Sequence, residues 1–430
     1  MNYSQAINIL YDQLPMYQRV GKVAYKKDLT NTLRICQHLG NPQNKFKSIL
    51  IGGTNGKGSS AHSLAAILQS AGYKTGLYTS PHLKDFSERI KVNGKAIEEM
   101  EVVDFVKTIQ PFIGDIEPSF FEITVAMAFQ HFAHQQVDWA IVEVGLGGRL
   151  DSTNVLTPQI SLITNIGLDH QDMLGDTLEQ IAIEKAGIIK DQGQVVISEY
   201  QPSVAAIFEK KAKDCHASLH FASKTFTVKQ NIFGDLEYTV DILKNGSAYM
   251  DQLHLDLTGD YHLKNLPGIL NTVDLLRNNS VEIKDDHIRQ GLSRVNPLTG
   301  LKGRWQIINV NPLTICDSAH NIDGLKCVFK QIAGIAHDQL YIIMGMVKDK
   351  DPKGILEVFP KEAHYYFCQA KIPRALDGKL LEEQASQMGL KGKVEPDVNE
   401  ALKQVMRVAG KRDIIFIGGS IFVLAELKEL

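Results

Sequence analysis

Short apolar runs alternate with helical patterns along most of this chain, and that alternation limits its folds more than any other feature. The runs "SILIGG" (48–53), "KTGLYTS" (74–80), "VDWAIVEVG" (137–145), "ISLITNIG" (160–167) and "QVVIS" (194–198) read as buried strands. Between them, "SAHSLAAILQSAG" (60–72) places Leu64, Ala65, Leu68 and Ala71 on one helical face, with Gly72 just past the end. "SFFEITVAMAFQHFAHQ" (119–135) and "TLEQIAIEKAGIIK" (177–190) read as further helices. Strand–helix alternation of this kind implies a mainly parallel sheet covered by helices on both faces. Residues 217–260 change character, with strand-like alternation around turn residues such as Asn245-Gly246, and suggest a small β-rich extension. A helical stretch over about 261–294 follows. "VNPLTGLKGRW" (295–305), with Pro297, Gly300 and Gly303, reads as a hinge. Alternation then resumes at 313–321, 339–347, 364–370 and 413–420. The expected fold is α/β: an N-terminal domain over 1–297 and a smaller, Rossmann-like α/β domain over 298–430.

The bulk numbers exclude several classes. A chain of 430 residues with 44% hydrophobic residues can bury sizeable cores, at about 100–200 residues per domain. A formal charge of −3 argues against a nucleic-acid-binding or membrane-surface protein. The five cysteines (Cys36, Cys215, Cys316, Cys327 and Cys368) are scattered and form no C-x-x-C pair. Free thiols in a reducing cytoplasm are expected rather than a disulfide framework or a cysteine zinc site. The N-terminus lacks the charged and apolar regions of a signal peptide, and no run is long enough to span a membrane.

The segment "GGTNGKGSS" (52–60) joins the first strand to its helix and resembles a phosphate-binding loop with altered spacing. In G-x-x-x-x-G-K-[ST], the first glycine would fall on Ile51, and Gly58 displaces the hydroxyl to Ser59. The chemistry survives the change. Glycines let the backbone approach a ligand, and a helix start presents unpaired N–H groups and a positive dipole end. Lys57 adds a point charge, and Ser59 a hydroxyl for phosphate or metal. A nucleoside triphosphate is the expected ligand.

Ligands of open α/β sheets collect at the carboxyl ends of strands. Glu143 ends "WAIVEV" before the glycine-rich "GLGGRLD", and reads as a charge aimed at the site rather than at solvent. Asp169-His170 ends "SLITNIG" in the same way. His170 is either a ligand or a rim residue, since hard cations prefer oxygen. Ser80, before Pro81, reads as a turn serine by itself.

Six segments in order resemble the folylpolyglutamate synthases and dihydrofolate synthases of the Mur ligase superfamily. They are "GTNGKGS" (53–59), "TSPHLKDFSERI" (79–90), "SFFEITVAMAF" (119–129), "VEVGLGGRLDSTN" (142–154), "TNIGLDHQDMLGDTLEQIAIEKAGIIK" (164–190) and "DSAHN" (317–321). The resemblance implies a P-loop ATPase domain of Mur-ligase type over 1–297 and a C-terminal glutamate-binding ligase domain over 298–430. It implies that Gly56, Lys57, Gly58 and Ser59 hold ATP phosphates, with Asn265, Arg304 and Asp317 as further nucleotide contacts. Ser80, Glu143 and His170 are then magnesium ligands, and Lys57, Lys185 and His320 serve catalysis. The lysine matching Lys185 is commonly carbamylated in such enzymes; without that modification it would be a surface helix cation. His262 stands where the family has Gln, and Ser318 and Ile322 where it has Gly and Pro. Asp317 could alternatively cap the next helix. Pterin-binding segments correspond to Ser119, Phe120, Phe121 and Glu122, and to Leu150, Asp151 and Ser152, although the phenylalanines could equally be core residues.

The implied activity is an ATP-dependent ligation of L-glutamate to a pteroate or folate carboxylate through an acyl phosphate. Its small-molecule partners are dihydropteroate or folates, L-glutamate and ATP with Mg2+. The expected protein is a cytoplasmic monomer that binds neither nucleic acid nor membrane, with a hinge that lets the domains close. Alternatives are a cell-wall Mur ligase, and an ATP-hydrolysing switch that ligates nothing. A nicotinamide-dinucleotide-binding protein is disfavoured by the lack of G-x-G-x-x-G after the first strand.

Overall fold

The computed structural model describes residues 1–12, 14–16, 28–233, 237–348 and 352–430. They divide into two compact units, Met1–Asp256 with His262–Gly300, and Leu257–Tyr261 with Leu301–Leu430. In the first, β1 (Lys47–Gly52), β2 (Thr75–Tyr78), β3 (Ile90–Val92), β4 (Lys95–Ala96), β5 (Trp139–Glu143), β6 (Ile160–Ile163), β7 (Gln194–Ile197) and β8 (Ser218–Phe221) build one sheet in the order β4-β3-β2-β5-β1-β6-β7-β8. Six strands run parallel, and β3 and β4 add an antiparallel edge beside β2. This is the mainly parallel sheet that the alternation predicts.

Period-two burial explains why the strands read as unbroken apolar runs. Ile49 and Ile51 of β1, Ile141 of β5, and Ile160 and Leu162 of β6 point into one core. That core is closed by the helices Lys57–Ser70, Tyr261–Asn278 and Asp285–Leu292. The intervening residues Leu50, Ala140, Val142 and Ile163 point to the other core, under Glu99–Ile116, Phe120–His134, Leu178–Ala186 and Pro202–Asp214. Both faces are therefore dry, and no polar stripe remains to reveal the alternation.

The β-rich extension is narrower than its sequence suggests. β8 belongs to the main sheet, while β9 (Phe226–Phe233), β10 (Glu237–Lys244) and β11 (Ser247–His254) form a separate antiparallel sheet. The turn between β10 and β11 sits at Asn245 (φ 51°) and Gly246 (φ 80°), the left-handed pair that suits a tight hairpin. The helix read over 177–190 stops at Ala186, before Gly187.

The chain leaves the first unit through the short helix Val295–Thr299 and Gly300. Lys91 Nζ donates to Thr299 O at 2.8 Å and to Gly300 O at 3.1 Å, capping that helix with a cation. His62 Nδ1, on the helix Lys57–Ser70, lies 2.7 Å from Thr299 Oγ1.

The second unit is also α/β. Its strands β12 (Gln306–Val310), β13 (Leu313–Cys316), β14 (Leu340–Met344), β15 (His364–Phe367), β16 (Gly392–Val394) and β17 (Ile414–Gly418) pair in the order β12-β13-β17-β14-β15-β16. All neighbours are parallel except the edge pair β12–β13. Among the described residues no helix is long and apolar enough to cross a membrane.

Two glycines test the packing. A Cβ at Gly291 would lie 2.6 Å from the Ile67 Cα, backbone against backbone, where the helix Asp285–Leu292 meets Lys57–Ser70. Gly291→Val should therefore cost about 2–3 kcal/mol in urea unfolding, because neither backbone can yield locally. Gly114→Ala meets open space within a helix and should be neutral or stabilising by up to about 1 kcal/mol. Equal midpoints for the two variants would contradict the packing described.

Candidate active site

The glycine loop is folded by its neighbour strand as much as by its own glycines. Thr54 N donates to Asn165 O at 2.9 Å, and Asn55 N to Asn165 Oδ1 at 3.0 Å. Thr164 Oγ1 donates to Asn55 O at 2.6 Å. The loop is thus laced to the carboxyl end of β6. Gly53 has φ 135°, and a Cβ there would fall 1.8 Å from Thr164 Oγ1, so no side chain fits. Gly56 (φ 84°) begins the helix, and a Cβ would lie 2.3 Å from Asn265 Oδ1. Asn265 is only 3% exposed and presses against the loop. The structure thereby joins two residues 209 positions apart (265 − 56) that the sequence analysis placed on one nucleotide.

Two ammonium groups converge on this loop. Lys57 Nζ donates to Gly53 O and Thr54 O, each at 3.1 Å. Lys185 Nζ donates to the same Gly53 O at 2.8 Å. Lys185 is 4% exposed, so it is no surface cation. Burial, then the charge of Lys57, pushes its pKa down to about 7, against the opposing pull of Asp169 and Asp151. Ser59 Oγ is buried on the first turn and has no hydrogen-bond partner among the described residues.

Glu143 ends β5 next to β1, paired in register with Ile51, and is 5% exposed. Its Oε2 accepts from the Ser80 N–H at 3.0 Å. The same oxygen would lie 3.5 Å from a Cβ at Gly58. Ser80, Glu143 and the loop helix therefore form one group at the carboxyl edge. His170 lies beyond β6 with φ 51°, a left-handed conformation uncommon outside glycine, and its Nε2 is 3.8 Å from Asp169 Oδ2. Among the described residues no cluster of three or more His, Cys, Asp or Glu side chains could hold a metal alone. The oxygen donors Glu143, Ser80 and the unpartnered Ser59 hydroxyl suit a hard divalent cation that takes part of its shell from phosphate.

Of the expected pterin residues, several already have structural work. Ser119 and Glu122 form a capping box: Ser119 N donates to Glu122 Oε2 at 2.6 Å, and Glu122 N to Ser119 Oγ at 3.2 Å. Phe120 is core, tilted against Tyr11 and edge-on to Phe86. Phe121 is only partly buried, and its ring occupies the space a Cβ would need at Gly145. Asp151 is buried, accepts from Leu146 N at 2.8 Å and Thr153 N at 3.0 Å, and caps the turn Ser152–Val155. Ser152 is buried and Leu150 half-buried. Phe121 is thus the aromatic of this set left with exposed surface.

In the second unit, Asp317 is 2% exposed and directly follows β13. It accepts from Tyr261 OH at 2.6 Å, Trp305 N at 2.7 Å and Ala319 N at 2.7 Å. Burial raises its pKa, opposed first by the Tyr261 hydrogen bond and then by the charge of Arg304. The following helix Ile322–Ala333 is capped instead by Asn321, whose Oδ1 accepts from Gly324 N at 2.9 Å. Arg304 Nη1 donates to Gly303 O, and His320 Nδ1 lies 3.0 Å from Ser318 O. Sequence reasoning missed Thr164, Asn165 and Tyr261. Each acts through a partner far along the chain, and none carries a local signal for that role.

Comparison with known proteins places this geometry in context. The family model of the Mur ligase middle domain matches residues 51–271, and that of the Mur ligase glutamate ligase domain matches 303–421. The dihydrofolate synthase/folylpolyglutamate synthase of Bacillus subtilis is 31% identical over 95% of this chain and 96% of its own. Against two probable bifunctional folylpolyglutamate synthase/dihydropteroate synthases, the chain spans about half the relative's length. Escherichia coli FolC, solved in complex with DHPP and ADP, superposes with a TM-score of 0.85 at 26% identity, covering 99% of this chain and 96% of that one. A bifunctional folylpolyglutamate synthase/dihydrofolate synthase solved with Mn, AMPPNP and L-glutamate bound gives a TM-score of 0.84 at 27% identity, covering 99% and 97%. The family models and the near full-length likeness together place this chain in the Mur ligase family, among the dihydrofolate synthases and folylpolyglutamate synthases.

Proposed function

We propose that this protein is an ATP-dependent ligase that joins L-glutamate to the carboxylate of a pteroate or folate. One observation carries the reading: a cluster of half-buried Lys57 with buried Lys185, Ser59 and Glu143 around a glycine-lined helix start, in a chain that matches such ligases end to end. A carboxylate does not condense with an amine at neutral pH unaided. In the reaction, a carboxylate oxygen attacks the γ-phosphorus of ATP and the bond to ADP breaks, giving an acyl phosphate. The glutamate nitrogen then attacks the acyl carbon, loses a proton, and phosphate leaves.

Phosphoryl transfer is catalysed mainly by positioning and charge neutralisation. The N–H groups of Gly56, Lys57, Gly58 and Ser59 at the helix start bind phosphate oxygens, and Lys57 neutralises them. Ser80, Glu143 and His170 would hold the divalent cation, Mg2+ on this reading, which supplies charge neutralisation at the transferred phosphate. Asn265 positions the nucleotide against Gly56. Arg304 and Asp317 contact the nucleotide, and His320 serves the ligation step. Phe121, Leu150, Asp151 and Ser152 face the pterin. Five free cysteines suit the reducing cytoplasm. The protein acts as a monomer.

Carbamylation of Lys185 belongs to this proposal. The neutral amine attacks CO2, an N–C bond forms and a proton is released, turning a cation into a carboxylate. The depressed pKa of about 7 keeps much of the amine neutral at physiological pH. It also removes the repulsion from Lys57 at their shared carbonyl.

Two outcomes are expected. Lys57→Ala should lower kcat for ligation by at least about 100-fold while the thermal midpoint stays within a few degrees; near wild-type turnover would discard the phosphate role. With 13C-bicarbonate, the wild type should show a carbamate NMR resonance that grows from pH 6 to pH 8, as the amine deprotonates. Lys185→Ala should lack it. Active protein with no such resonance would remove the modification from the mechanism.

A further inference from the structure

Arg89 is a guanidinium taken out of water without an acid to match it. It is 3% exposed, and among the described residues no carboxylate lies within ion-pair distance. Its partners are neutral or aromatic. Nε donates to His82 Nδ1 at 2.8 Å, the Tyr78 hydroxyl is a second hydrogen-bond partner, and the Phe120 ring centroid is 5.2 Å from Cζ. Removing a guanidinium from water costs several kcal/mol that neutral groups repay only in part. Glu143 helps to stabilise the charge only from a distance. A buried cation so incompletely matched is a place for an anion.

Its position says which anion. Arg89 lies at the sheet edge, where its carbonyl accepts from Thr79 N at 3.0 Å, one residue before Ser80. Ser80 in turn donates its N–H to Glu143. On the other side, Phe120 begins the helix whose next residue is the half-buried Phe121. Tyr78 links the two sides, with its ring 6.3 Å from Phe121 and its hydroxyl 3.2 Å from Thr124 Oγ1. Arg89 thus stands between the residues proposed for the metal and those proposed for the pterin. In a ligase that phosphorylates the carboxylate of a pterin-bearing acid, the reacting carboxylate must lie along that line.

We propose that Arg89, seated on His82 and Phe120, is the residue that receives the carboxylate of the pteroate substrate and holds it for phosphorylation. This rests on the ligase reading above. The guanidinium offers a planar fork of N–H donors to the two carboxylate oxygens. His82 and Phe120 fix its orientation, and the aromatic wall excludes the water that would otherwise compete.

The test compares dihydropteroate with its carboxamide, which keeps shape and loses charge. Binding is measured by calorimetry with the wild type, Arg89→Met and Arg89→Lys, alongside AMPPNP binding. Wild type should bind the acid at least about tenfold more tightly than the amide. Arg89→Met should abolish that preference, leaving amide and AMPPNP affinities within about threefold of wild type. Arg89→Lys, which keeps the charge without the fork, should retain part of the preference and controls for misfolding in the Met variant. A preference unchanged in both variants overturns the proposal, and so does an equal loss of acid and amide binding, which marks a structural role only. Wild type that binds neither compound contradicts the ligase reading itself, an outcome distinct from a failure of Arg89.

Discussion

One backbone carbonyl, that of Gly53, accepts hydrogen bonds from the ammonium groups of both Lys57 and Lys185. That arrangement is electrostatically expensive. A second charge beside Lys57 is disfavoured at the positive end of a helix, inside a unit whose strands are apolar on both faces, and the lowered pKa of Lys185 reflects it. The sheet makes it geometrically necessary. Parallel strands bring every carboxyl end to one edge, so the loop after β1, Ser80 after β2 and Glu143 on β5 meet there, with Asp169 after β6 near enough to act on Lys185. The chemistry follows from this concentration of charge. On the proposed function, a polyanion with its metal would satisfy the lysines and the helix start. A carbamate on Lys185 would convert the repelling member of the pair into a further oxygen donor.

Much of this was legible in the sequence because the relevant signals are local. Apolar runs such as "SILIGG" mark buried parallel strands wherever neighbouring helices cover both faces. The placement of Gly56, Lys57 and Ser59 at a helix start is written within a few residues, and that of Glu143 in an apolar strand that ends before glycines. The β-rich extension was legible as a change of pattern, but not its boundary. β8 has the same alternation as β9, and only pairing with β7 assigns it to the main sheet.

The rest was hidden because it depends on contacts far apart in the chain. Nothing near Asn165 says that its side chain accepts from Asn55, and nothing near Tyr261 says that its hydroxyl meets Asp317. The pterin segments show the converse limit. A Ser-x-x-Glu pattern before an apolar run signals a capping box as strongly as a binding site, and Ser119 and Glu122 do form that box. Arg89 lies inside the segment "TSPHLKDFSERI", but nothing in that run of residues assigns it a role. Its interest arises from burial without a paired acid, which only three-dimensional packing reveals.

The central claim is that this cluster spends ATP on making an amide bond. The most direct test is ADP release by the purified protein with dihydropteroate or tetrahydrofolate, each with and without L-glutamate. Rapid ADP formation that requires both the pterin acid and glutamate, matched by new amide product, is the predicted result. ADP release at the same rate with either compound omitted would contradict the account and describe an ATPase instead.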